Sequence, residues 1–186
     1  AEIVKNMLSF SRKSDRVVTH QDLGVLLDRT LELVRTDYDM KKRYDVKQIR
    51  IEREYDPLVP PVPCEASKVQ QVFMNILKNG AEAMADAGSE PDPPAFVMRV
   101  CDDGDWVRVE IEDNGPGMDE WTRRRIFEPF YTTKPVGQGT GLGLSVSYFI
   151  ITEDHGGEMA VESSPVGGTK FIIRLLKEGD QHLSDT

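Results

Sequence analysis
Apolar residues return every three to four positions in several stretches, which predicts amphipathic helices. Ile3, Val4, Met7, Leu8 and Phe10 predict the tail of one within residues 1–13. Leu23, Leu26, Leu27, Leu31, Leu33 and Val34 predict another from about His20 to Asp37, with Thr19 as its cap. The longest periodic run, Glu65 to Ala87, predicts a third, and Val146 to Ile151 a fourth. Period-two alternation predicts strands at Gln48–Tyr55, Phe96–Cys101, Val107–Glu112, Met159–Glu162 and Phe171–Leu175, with a short one at Arg16–Thr19. The strand at Val107 is half-buried: Val107, Val109 and Ile111 face one way, Arg108, Glu110 and Glu112 the other. Pro57 to Pro63 excludes a helix. Hairpin turns fall at Asp102–Asp105 and Pro165–Gly168, and a polar connection of about 25 residues precedes Thr140. Its length predicts a functional loop. Together these elements predict an α+β fold, a two-layer sandwich of a mixed, mostly antiparallel sheet with helices on one face.

Composition narrows the function classes. With 23 Lys and Arg against 32 Asp and Glu, the net charge of −9 argues against nucleic-acid binding. No apolar run reaches the roughly 20 residues of a membrane span, so no membrane contact is expected from these residues. Cys64 and Cys101 form no metal-like cluster and fit free thiols in a reducing compartment. The chain opens within a helical pattern, so it is expected to be a fragment.

Candidate chemistry gathers in four places. On the long helix, Val69, Val72, Phe73, Ile76, Leu77, Gly80 and Met84 share one arc. Asn75, Asn79 and Glu82 lie opposite, within about 60° of one another. Two asparagines one turn apart beside an acid are either a solvated face or a face turned to a ligand. An Asn carbonyl is a hard oxygen suited to Mg²⁺ when phosphates complete its coordination. Asp113-Asn114-Gly115-Pro116-Gly117 ends a strand. It is a good turn, yet its leading carboxylate can also accept a hydrogen bond from an exocyclic amine such as adenine N6, and would repel guanine O6. Phe127 to Lys134 sets aromatics in a polar loop, either a small satellite core or the anchor of a lid from which Lys134 reaches a phosphate. Finally, Gly137, Gly139, Gly141 and Gly143 alternate just before a helix. That arrangement cradles phosphate, although it also occurs as a flexible link.

In this order, the four stretches resemble the N, G1, F and G2 boxes of sensor histidine kinase catalytic domains, of the nitrogen-sensor-like branch. The wider superfamily includes gyrase, HSP90 and MutL. The N box resembles Asn75 to Ala81, the G1 box Asp113 to Gly117, the F box Phe127 to Lys134 and the G2 box Gly139 to Leu144. Gly167 to Phe171 is similar to the final glycine–threonine motif. The resemblance spans about residues 20–176 and implies a Bergerat-type ATP-binding fold. It also implies a division into 1–14 (end of a dimerisation helix), 15–178 (catalytic domain) and 179–186 (polar tail).

The resemblance further implies ATP and Mg²⁺ as cofactors, with Asn79 on the metal and Asp113 on the adenine amine. Gly115 and Gly117 would let the backbone approach the base, and Thr169 would support that contact. Thr140, Gly141, Leu142, Gly143 and Leu144 would serve the phosphates, with Lys134 steadying them from the lid. Implied partners are the protein's own dimerisation and phosphoacceptor domain, in a homodimer, and a response regulator receiver domain. A cytoplasmic location is implied, with a membrane anchor elsewhere in an intact protein left open. His20, His155 and His182 lack a phosphoacceptor context, so the acceptor is expected upstream. Gly80 stands where the family usually has alanine, a change expected to be tolerated. ATPase branches place a glutamate base where this chain has Asn75. An amide cannot take a proton, so transfer to a separate acceptor is favoured over hydrolysis. A conformational ATPase and a regulatory nucleotide-binding module remain the alternatives.

Overall fold
The computed structural model describes residues 17–37, 48–87, 92–135, 139–165 and 167–178. The helix expected within 1–13, the polar tail 179–186, and Gly137 and Gln138 of the glycine run lie outside them.

Strand β1 (Thr19–Gln21) pairs antiparallel with β3 (Val62–Cys64) in a two-stranded sheet. The proline stretch therefore contains a strand that alternation did not reveal. Pro63 sits opposite His20, while Val62 and Cys64 are both buried. Helix α1 (Leu23–Thr36) begins later than expected. Asp22, not Thr19, is its cap, accepting from the Val25 amide at 3.0 Å. Thr19 is instead committed to β1. Leu23, Leu26, Leu27, Leu31 and Val34 bury the expected stripe, but Leu33 is exposed.

The main sheet runs β2 (Arg50–Tyr55), β4 (Ala95–Asp103), β5 (Trp106–Asp113), β7 (Thr169–Leu176), β6 (Glu158–Ser163). Only the β2–β4 pair is parallel. Its core face carries Met98, Val100, Val107, Val109, Ile111, Phe171, Ile173 and Leu175. Helices α1, α2 (Ala66–Ala87) and α4 (Gly143–Phe149) form the second layer, and α2 buries the predicted arc from Val69 to Met84. The other face carries charges in cross-strand pairs: Arg99 meets Glu54 at 2.7 Å and Glu112 at 2.5 Å, and Lys170 meets Glu162 at 2.6 Å. A helix-covered apolar face and a charged face make this the expected two-layer sandwich.

Two elements depart from the periodicity. The long connection contains α3 (Glu120–Arg125), capped by Asp119 on the Thr122 amide at 2.7 Å. It buries no residue, so it leaves no apolar stripe to read. Helix α4 starts at Gly143, three residues before the apolar run, and continues as a π-helical turn over Ile150–Asp154. His155 secures that turn. Its Nδ1 pairs with the Ile150 carbonyl at 2.7 Å, and its Nε2 accepts from the Glu65 amide at 3.1 Å. The ring therefore joins the end of the π turn to the start of α2.

Candidate active site
A cleft of about 620 Å³ opens between α2, the end of β5, the α3 connection and the start of α4. That volume suits a small-molecule ligand. Of the residues singled out in the sequence, Asn75, Asn79, Asp113, Gly117, Lys134, Thr140, Gly141, Gly143, Leu144 and Thr169 line it. Gly115 and Leu142 do not, but each supports a neighbour that does.

Asp113 ends β5 with only 6% of its surface exposed. Its Oδ1 accepts from the Gly115 amide at 2.9 Å, so this glycine serves the carboxylate directly. Desolvation raises the carboxyl to about 6, while amide hydrogen bonds from Gly115 and Thr169 pull the other way. Thr169 faces Asp113 across the β5–β7 ladder. Asn114 turns away from the cleft: its side chain accepts from the Ala95 amide and donates to the Pro93 carbonyl, fastening the start of β4. Gly117 has φ +69°, and a β-carbon there would stand 2.0 Å from the Ser164 carbonyl oxygen. No other residue fits that approach.

Ser163 was not apparent from the sequence. Its hydroxyl donates to the Gly168 carbonyl at 2.9 Å, accepts from the Met118 amide at 2.9 Å and lies 3.0 Å from Thr169 Oγ1. One hydroxyl thus joins the glycine turn after β5 to the start of β7. A serine late in a strand carries no signal that distinguishes it from an exposed one.

On α2 the two asparagines divide their work. Asn75 donates from Nδ2 to the Gly143 carbonyl and to Ser147 Oγ, each at 3.0 Å. Asn79 offers Oδ1 to the Lys134 ammonium at 3.1 Å, and that ammonium also pairs with Glu82. Asn79 Oδ1 thus already faces a cation inside the cleft, beside a carboxylate. No group of three or more His, Cys, Asp or Glu among the described residues could hold a metal alone. Asn79 Oδ1, a hard oxygen that already faces a cation, fits a divalent ion whose other ligands come from a phosphate and water.

The segment Phe127 to Lys134 is joined to the turn before α4 through its backbone. Phe130 donates its amide to the Gly141 carbonyl at 2.8 Å. Gly141 has φ +65°, and a β-carbon there would lie 2.4 Å from the Phe130 carbonyl carbon. Phe127 and Tyr131 both find partners for their rings: Phe127 packs on Tyr148 with centroids 4.9 Å apart, and Tyr131 lies under the Arg125 guanidinium at 4.5 Å. The Phe130 ring is placed differently. It is 56% exposed on a backbone with φ +66°, because its amide rather than its ring makes the link. Thr140 Oγ1 accepts from the Leu142 amide at 3.4 Å, shaping the turn into α4.

Residues 64–179 match the sequence profile of the family described as histidine kinase-, DNA gyrase B- and HSP90-like ATPase. The chain belongs to this ATPase family. Among its relatives, sporulation kinase E of Bacillus subtilis (strain 168) is 49% identical over 117 residues, covering 63% of this chain and 15% of that protein. The histidine kinase AtoS of Escherichia coli (strain K12) is 32% identical over 97% of this chain and 28% of its own length. The sensory histidine kinase/phosphatase NtrB of Rhodobacter capsulatus is 39% identical over 67% of this chain and 36% of its own. The chain thus spans about a third or less of these curated relatives. In structure it is similar to the nucleotide-free catalytic domain of histidine kinase ThkA. Their TM-score is 0.70 at 29% identity, covering 87% of this chain and 97% of that one. The ATPase-family fold and the nitrogen-sensor-like resemblance are therefore both supported by relatives.

Proposed function
We propose that this ATPase-family chain binds ATP with Mg²⁺ and presents the γ-phosphoryl group to a histidine on a separate helical domain, as the catalytic part of a sensor histidine kinase. The observation that carries the reading is the buried Asp113 carboxylate on the floor of a cleft whose rim holds Asn79 Oδ1, Lys134 and the start of α4. Asp113 accepts from the adenine N6 amine, with Gly115, Gly117 and Thr169 shaping the floor around it. Asn79 Oδ1 holds Mg²⁺, which when bound supplies positive charge to offset the phosphates. Backbone amides of Gly141 to Leu144, set by Thr140, point donors at the phosphates, and Lys134 adds a cation from the lid. Phosphoryl transfer asks mainly for such positioning and charge neutralisation.

Asn75 supports transfer over hydrolysis. It holds the start of α4 and has no basic group with which to activate water. Neither described histidine is a candidate acceptor: His20 lies in β1, and both ring nitrogens of His155 are committed to backbone. The acceptor domain, in a homodimer, and a response regulator are the proposed partners. A structure of ThkA with the response regulator TrrA, at 27% identity and TM-score 0.68, makes that pairing reasonable for this chain. No helix among the described residues is long and apolar enough to cross a membrane. A cytoplasmic site of action goes with an ATP supply and with free Cys64 and Cys101.

Calorimetry with ATP–Mg²⁺ and GTP–Mg²⁺ tests the reading. ATP is expected to bind at least about fivefold more tightly, because one mismatched polar contact at a buried site is worth about 1–3 kcal/mol. Equal affinities would remove Asp113 from the base-reading role. Incubation with γ-labelled ATP is expected to leave the chain without acid-labile label. Stable label on the chain alone would overturn the separate-acceptor mechanism.

A further inference from the structure
Glu82 has no part in the nucleotide contacts above, yet it sits at the centre of the cleft's charge. It lies on α2 one turn beyond Lys78 and Asn79, and only 19% of its side chain is exposed. Its partner is Lys134, which reaches it from the lid segment and touches Asn79 Oδ1 with the same ammonium. The lysine is directed inward by its own surroundings. Its amide donates to Thr132 Oγ1 at 3.1 Å, fixing the backbone turn. Gly139 leaves room for its stem, since a β-carbon there would lie 3.2 Å from Lys134 Cδ. Lys78, the neighbouring ammonium on α2, is held elsewhere by Asp37 at 2.6 Å. Lys134 is therefore the cation that Glu82 meets, and it occupies the face of Asn79 assigned above to the metal.

We propose that Glu82 is a positioning residue that parks the Lys134 ammonium on Asn79 Oδ1, so that the lid lysine and a divalent cation exclude one another at that oxygen. The inference rests on the reading of Asn79 as a metal ligand. In the nucleotide-free chain the ammonium stands in for the metal and fastens the lid to α2. When metal and phosphates arrive together, the metal takes the amide oxygen and the lysine gains the phosphates as new partners. Metal alone gives the lysine no such partner and has to displace it from Asn79 Oδ1 while Glu82 still holds it close. Nucleotide alone leaves the lysine divided between Glu82 and phosphate. The pairing therefore makes metal and nucleotide each favour the other's binding.

Two measurements on the full chain test this. The first titrates Mn²⁺ without nucleotide and reads the free ion by electron paramagnetic resonance. Lys134→Met is expected to bind Mn²⁺ at least tenfold more tightly than the wild type, and adding Asn79→Ala is expected to cancel the gain. An unchanged Mn²⁺ affinity in Lys134→Met would overturn the exclusion. A gain that survives Asn79→Ala would instead remove Asn79 as the metal ligand, so the two failures are distinguishable. The second measures ADP affinity in excess chelator, where no metal is bound. Glu82→Gln frees the lysine for the phosphates and is expected to tighten metal-free ADP severalfold, with faster hydrogen exchange in residues 131–135 and unchanged exchange in β4 and β5. The double variant Glu82→Gln, Lys134→Met is expected to lose the ADP gain. A Glu82→Gln chain with wild-type ADP affinity and wild-type lid exchange would overturn the positioning role.

Discussion

Asn75 joins α2 to α4 by donating to the carbonyl oxygen of Gly143, the first residue of α4, at 3.0 Å. A second donation, to Ser147 Oγ, falls one turn later, and Ser147 itself bonds the Gly143 carbonyl at 2.8 Å. The helix carrying the proposed metal ligand thereby fixes the helix carrying the proposed phosphate amides. Asn75→Ala removes both donated bonds and is expected to cost about 1–3 kcal/mol in denaturant unfolding. Hydrogen exchange should quicken at the start of α4. Asn75→Glu restores a base at this position and is expected to raise ATP hydrolysis, although it gives up the donations to Gly143 and Ser147. A steady-state phosphate-release assay checks this, and an unchanged rate would weaken the argument from the missing base.

Asp113 makes the cleft pH-sensitive. Burial places its carboxyl at about 6, against an ordinary 3.8. Between those values the folded chain holds a proton that the unfolded chain has released, so stability falls as pH rises through this window. The shift corresponds to about 3 kcal/mol at full ionisation. Thermal unfolding of the wild type and Asp113→Asn should show it: their stability difference moves against the wild type by up to that amount from about pH 4 to about pH 8. Binding has the opposite sign, because the ionised carboxylate is the better acceptor. Adenosine, which carries no phosphate to titrate, is expected to bind more weakly as pH is lowered through about 6, and Asp113→Asn should flatten that dependence.

Ser163 supports the same floor from the far side. Ser163→Ala leaves the Met118 amide without its acceptor and removes a donor from the Gly168 carbonyl. The expected cost is about 1–3 kcal/mol in unfolding, with weaker ATP binding because the Gly117 turn loosens. Ser163→Thr keeps the hydroxyl and should restore most of both, which calorimetry and thermal unfolding would reveal together.

Where side chains bury in a regular pattern, the sequence was legible: the α2 arc from Val69 to Met84 holds, and Val107, Val109 and Ile111 of β5 are buried as expected, although Glu110 on the opposite face is buried too. Elements held by polar contacts were harder to read. Helix α3 buries nothing, β3 is hidden among prolines, and Thr19 resembles a cap as closely as Asp22 does. Asn79, Asp113 and Lys134 could be named because their types fit a chemistry in a recognisable order. Their division of labour could not. Whether Asn75 turns its amide to a ligand or to Gly143, and whether Lys134 meets phosphate or Glu82, depends on contacts made more than fifty residues away.

Gly80 shows how a contact distant in sequence reverses an expectation. Glycine inside a helix costs about 1 kcal/mol relative to alanine, which alone predicts that Gly80→Ala would stabilise α2. The structure gives the opposite sign. A β-carbon at this position would stand 2.7 Å from Phe96 Cε1 and 2.9 Å from its Cζ, and 3.1 Å from Asp113 Oδ2. The Phe96 ring is buried at the start of β4, so it cannot swing into solvent to make room. Overpacking of this kind costs about 1–3 kcal/mol and outweighs the helical gain. Gly80→Ala is therefore expected to lower stability, and to weaken adenosine binding by crowding the Asp113 carboxylate. Phe96→Leu supplies the control. The smaller side chain leaves a void in the wild type but accepts the new methyl in the double variant. A double-mutant cycle in denaturant should return a favourable coupling of about 0.5–3 kcal/mol between the two substitutions. Additive effects would mean that Phe96 is not what the alanine meets, and the glycine would then be explained by Asp113 alone.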